Sequence, residues 1–196
     1  MLIASRLLGG LCGLALLLPL AAPVQAQTAP PQPLDFSSLL ANAQDLLLRM
    51  PDAQADGLFQ ALHAVSRQEQ DRAALCRVLE PDGDRSLQGM SALAGRLSPE
   101  SREVLANAIA EAVVIAMQNS TPAAWDRDAA EQALRANAVR AGLLHEGFSE
   151  GLVEGASSQA RCQSLAWMLD VIAERPVEER VLLTRLLLAQ GLAQLG

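Results

Sequence analysis

The stretch from His145 to Gly155 holds the residue types best suited to chemistry in this chain: one histidine, and glutamates at 146, 150 and 154. Read as a helix, it places Glu146, Glu150 and Glu154 in one four-residue stripe and Gly147, Gly151 and Gly155 in the next. A carboxylate–histidine stripe can hold a metal ion or meet a basic partner. The zinc-protease pattern is incomplete, because Ser149 stands where its second histidine belongs. The structural alternative is that small residues four apart let helices approach closely, with the glutamates as a solvated edge. Each glycine in a helix costs about 1 kcal/mol relative to alanine, so three of them demand close packing, a kink or a break into shorter helices. His145, Glu146, Glu150 and Glu154 are therefore a candidate binding surface. No metal ligand set and no cofactor is assigned.

Other constellations carry less. Asp82, Asp84 and Ser86 resemble the opening of a calcium loop, but Leu87 and Leu93 occupy the positions that need glycine and a bidentate glutamate. A turn followed by a helix cap explains them. The chain has only two histidines, and His63 sits beside an apolar helix face, as a packed or edge histidine does. No G-x-S-x-G elbow and no phosphate-cradling glycine loop occurs. Two Trp and three Phe are poor material for a sugar cleft between paired carboxylates. Trp125 precedes a helix cap; it is either a hydrophobic staple or, if exposed, part of a binding surface. Trp167 falls beside the Leu165/Leu169 face and is expected in the core.

The N-terminus reads as a cleavable signal peptide over residues 1–26. Arg6 is the only charge before an apolar run from Leu7 to Leu20, and Val24 and Ala26 suit a cut after Ala26. The run is short for a bilayer span, which needs about 20 residues. Cleavage removes Cys12 and leaves Cys76 and Cys162, a pair that reads as a disulfide in an oxidising compartment. Such a bridge would stabilise the fold by about 4–5 kcal/mol. With Arg6 removed, 14 basic residues face 22 acidic ones, for a net charge of −8. There is no lysine and no basic run, which argues against nucleic-acid binding and docking to anionic lipid. The Ala-, Leu- and Arg-rich, lysine-free usage suggests a GC-rich bacterial genome, and with the leader a periplasmic or secreted destination.

The elements that must position these residues are helices. Residues 27–33 form a Pro-rich lead-in, and 34–196 a single domain. Asp35 is placed to cap a first helix that Pro51 ends. A second starts near Asp52 with Leu58, Phe59, Leu62 and Val65 on one face. Ser66 and Glu69 resemble a capping box for a third, carrying Leu75, Cys76, Val78 and Leu79. Asp84 is expected to cap a fourth. Ser98-Pro99-Glu100 opens a fifth, running to about Asn119 with Val104, Leu105, Ile109, Ala112, Val113 and Ala116 inward. Asp126 caps the next, expected to end near Asn137, with a further helix through Gly155. Ser157–Ser158 opens the Cys162 helix, which Arg175–Pro176 breaks. The last, Val177 to about Leu195, is the most apolar, and is either the centre of the bundle or partly exposed as a homodimer or partner interface.

No strand pattern appears. The expected fold is all-α: an irregular bundle of about seven to nine short helices stapled by one disulfide. The expected function is an exported, non-enzymatic factor that binds another periplasmic or exported protein, in an immunity-, inhibitor- or envelope chaperone-like role. The alternatives are a small hydrolase or metal-dependent enzyme using His145 and neighbouring glutamates, or a carrier of apolar ligands between helices.

Overall fold

The computed structural model describes residues 36–80, 83–84 and 86–193. The leader, its cleavage site, the Pro-rich lead-in and the Asp35 cap lie outside them. Among the described residues there are eight α-helices, one short 3-10 helix and no strand. The all-α expectation holds. The helices are α1 (Phe36–Arg49), α2 (Asp52–Ser66), α3 (Glu69–Leu79), α4 (Leu87–Arg96), α5 (Pro99–Gln118), α6 (Arg127–Leu144), α7 (Ser158–Ala173) and α8 (Val177–Ala193), with the 3-10 helix at Phe148–Gly151.

Helices α2 and α8 form the centre. α2 packs on α3, α5, α7 and α8; α8 packs on α1, α2, α6 and α7. Phe59 of α2 and Leu183 of α8 are fully buried beside Leu169 and Ile172 of α7. Cys76 and Cys162 are disulfide-bonded with their Cα atoms 5.3 Å apart, tying α3 to α7.

The last turn of α1 shows how the centre is locked. Helix ends leave carbonyls without intrahelical partners. Arg185 of α8, 1% exposed, donates to the carbonyls of Leu47 (3.1 Å) and Met50 (2.5 Å). Asn119 donates to the Arg49 carbonyl at 2.8 Å, and the Ala123 amide to that of Leu48 at 2.6 Å. The charge of Arg185 is met at the protein edge by Asp52, 2.9 Å away. Asp71 of α3 plays a matching part at the start of α5. It is fully buried and accepts from the Ser98 amide (2.7 Å), the Ser98 hydroxyl (2.8 Å) and the Ser101 hydroxyl (2.5 Å). Burial pushes its carboxyl up, but the hydrogen bonds from Ser101 and Ser98 outweigh that and hold it below its ordinary value.

Several expectations are corrected. Ser66 does not cap α3: it ends α2, and its hydroxyl donates to the His63 carbonyl at 2.7 Å. Asp84 does not cap α4; Ser86 does, accepting from the Gly89 amide at 3.1 Å, while Asp84 accepts from the Ser86 amide at 2.9 Å. Helix α6 passes through Asn137 instead of ending there. The Asn137 side chain is absorbed by the Ala133 carbonyl and by Glu179 of α8, so it does not interrupt the backbone. On α5, Ala112 and Ala116 are buried, but Val104, Ile109 and Val113 are exposed. The Ser98, Asp126 and Ser157 caps form as expected, each side chain accepting from a backbone amide three residues on.

Candidate functional site

Residues 145–155 are not one helix. α6 stops at Leu144, and Gly147 adopts a positive φ of 86° that L side chains rarely take. The chain turns there, makes the 3-10 helix, and reverses again at Gly155, φ 78°. Gly151 has a different task. A methyl group at this position would run into the Ser164 hydroxyl and the Ala160 carbonyl of α7. The backbone therefore lies directly on α7, and the Ser164 hydroxyl donates to the Phe148 carbonyl at 2.7 Å. Phe148 is 3% exposed and packs with Ala141 and Val171. Thus two of the three glycines break the helix and one allows close packing. The stripes of glycine and glutamate on a single helix face do not exist.

This turn sets where the candidate residues lie. The His145 ring stacks on Trp167, centroids 5.0 Å apart and planes 5° from parallel. Trp167 is half-buried, so the expectation of a core tryptophan is corrected: it stands at the rim of the core and carries His145 on its ring. Glu146 and Glu150 line an open concavity of about 390 Å3 together with Trp167, Gln159 and Gln163. Glu154 is exposed and does not line it. Trp125 is half-buried before the first turn of α6, at the other end of that helix from His145. An 18-residue helix is about 27 Å long, so Trp125 belongs to a different surface. The geometry thus unites Glu146 and Glu150 beside the His145–Trp167 stack, and leaves out Glu154 and Trp125.

The chemistry of this concavity is that of two exposed carboxylates beside an aromatic ring, which attracts cations. Its one lining hydroxyl, Ser157, accepts from the Ala160 amide at 3.1 Å, and no base among the described residues is paired with it. Among the described residues, no group of three or more His, Cys, Asp or Glu is placed to hold a metal. The other histidine has the tighter geometry. His63 Nε2 lies 2.8 Å from Asp170 Oδ1, and its ring stacks near Phe59. No described hydroxyl or thiol bonds its other nitrogen, so the pair ties α2 to α7 as a packed histidine does.

Sequence reasoning missed two surfaces. The first is the outward side of α5. Ile109, Val113 and Met117 follow at four-residue spacing, 53%, 38% and 65% exposed, with Val114 and exposed Ala106 and Ala110 beside them. Their signal was present: α5 is apolar on nearly every side, and such a helix is read as buried. The second is Arg161, whose Nε is buried without a hydrogen-bond partner. Nothing in the sequence marks it among the other arginines.

No protein-family model matches the chain, and no curated protein or solved structure matches it either.

Proposed function

We propose that this chain is an exported, non-enzymatic factor that acts by binding another protein, and that the outward face of α5 is where the partner docks. The observation that carries the reading is the apolar row of Ile109, Val113 and Met117, which no described part of the chain covers. Exposed apolar side chains in a contiguous row mark interaction surfaces. Glu100 and Glu103, both exposed, lie on the outward side of α5, whereas Glu111 turns to α2 and accepts from Gln54 at 3.3 Å, and Arg102, the one cation of α5, precedes Ile109 by seven residues. The occupant that complements it is an amphipathic helix with a basic edge. The negative charge of the whole chain favours the same kind of partner.

In this reading residues 1–26 are the cleaved leader, 27–33 a tether and 34–196 the working domain, located in the periplasm or outside the cell. The Cys76–Cys162 bridge is compatible with an oxidising compartment.

The test is a photo-crosslinking residue placed at Val113 of the full-length chain in intact cells. One stoichiometric adduct is expected, made with a basic segment of an exported protein and lost when Met117→Glu is added. Adducts of many sizes, or the same adduct from a crosslinker at exposed Glu174, would overturn the docking face. Adduct formation with a second copy of this chain would replace the heterologous partner by a dimer. Sequencing of the exported form should begin at Gln27.

A further inference from the structure

The chain contains a cavity of about 320 Å3 where the end of α3 and the 3-10 helix meet α6, α7 and α8. Its wall is mostly apolar, from Leu134, Phe148, Leu152, Leu165, Met168 and Leu187. Cys76 and Cys162 belong to the same wall, so their covalent bond holds its α3 and α7 sides in register. One cation lines the cavity: Arg161, in the first turn of α7. Its Nε is buried and has no hydrogen-bond partner, and its guanidinium makes no ion pair among the described residues. The neighbouring Ser164 hydroxyl is already committed to the Phe148 carbonyl. Glu80 lines the α3 end and has a partner of its own.

A buried guanidinium N–H without an acceptor is unfavourable, and a ligand that brings an anionic oxygen relieves it. Apart from Arg161, Glu80, Ser158 and Ser164, the wall is apolar and takes hydrocarbon. The volume is at the small end of ligand pockets, which run from about 300 to 1,000 Å3, so it suits a single alkyl chain. Leu152 and Leu187 are 62% and 37% exposed, which leaves the mouth open to entry. We propose that this cavity binds a short- to medium-chain fatty acid, its carboxylate on Arg161 and its chain along Leu165, Met168 and Leu152. The site stands independently of the docking face on α5.

The test is calorimetric titration of the disulfide-intact full chain with octanoate, decanoate, decanol and decylammonium. Decanoate should bind one to one, and affinity should rise about fourfold per added methylene until the cavity is filled. Decylammonium should bind at least tenfold more weakly than decanoate. Arg161→Gln should weaken decanoate at least tenfold while leaving decanol unchanged. Leu165→Trp should abolish binding by filling the cavity; if it unfolds the protein, Leu187→Trp at the exposed mouth gives the same readout. No saturable heat with decanoate, equal affinity for decanoate and decylammonium, or wild-type decanoate affinity in Arg161→Gln would overturn the proposal.

Discussion

Helices α5 and α8 are both written in apolar residues, and the fold treats them in opposite ways. α8 is surrounded by α1, α2, α6 and α7, whereas α5 leans mainly on α1 and α2. In α8 even a charged residue is inside: Arg185 is 1% exposed. In α5 even a long apolar residue is outside: Met117 is 65% exposed. The difference is one of neighbours. A guanidinium can be buried where unpaired helix-end carbonyls and a carboxylate receive its protons. A methionine stays in water where no helix among the described residues covers it. Side-chain polarity states a preference; the number of packed neighbours decides whether the preference is met.

The largest expected effect lies on the α8 side of this comparison. Arg185→Ala should cost about 3–5 kcal/mol in chemical denaturation, because it strands the carbonyls of Leu47 and Met50 and opens a void. A loss below 1 kcal/mol would mean that α1 does not depend on α8 for its C-terminal cap.

Next is the buried end of α5. Asp71→Asn should destabilise by about 1–3 kcal/mol, since hydrogen bonds to a charged acceptor are replaced by weaker ones. The same pair gives a pH test. The folded Asp71 carboxyl lies below its ordinary value of 3.8, so its contribution is fully present above 3.8 and is lost as pH falls through the folded value. Wild-type stability should therefore decline below pH 4 more steeply than that of Asp71→Asn. Parallel curves would remove Asp71 as a source of acid sensitivity.

A smaller effect has the opposite sign. Gly57 in α2 faces open space on the groove it shares with α5, and a Cβ there meets nothing within 4 Å. Gly57→Ala should stabilise by about 0.5–1 kcal/mol through helix propensity and unfolded-state entropy. A loss of stability in this variant would show that the groove is filled.

The smallest change in stability is expected on the open face. Val113→Gln should alter unfolding free energy by no more than about 0.5 kcal/mol, as exposed substitutions do. It should nevertheless reduce partner capture by the α5 face. A loss above 2 kcal/mol would mean that Val113 is covered in the free protein and would erase the contrast between the two helices.

Much of the fold was legible because it is encoded locally. Ser98-Pro99, Asp126 and Ser157 mark helix starts by chemistry that acts within four residues, and they appear where the pattern puts them. The disulfide was legible by counting, once Cys12 is assigned to the leader. Residues 145–155 were not, because their identity as a helix or a turn depends on contacts outside the segment. Phe148 packs on Ala141 and Val171, and Gly151 lies against Ala160 and Ser164, contacts that hold the segment turned at Gly147. Glu146 and Glu150 therefore come to Trp167, a neighbour that no spacing rule would have paired with them.

By itself the sequence determined the helical class, most helix boundaries and the Cys76–Cys162 pairing, since capping, proline geometry and cysteine arithmetic are short-range or combinatorial. Tertiary structure alone decided that Arg185 is buried, that the described residues leave the outer row of α5 uncovered, that Arg161 faces an apolar cavity, and that His145 lies on Trp167. Each of these depends on which distant helix arrives beside a residue, and that is a property of packing.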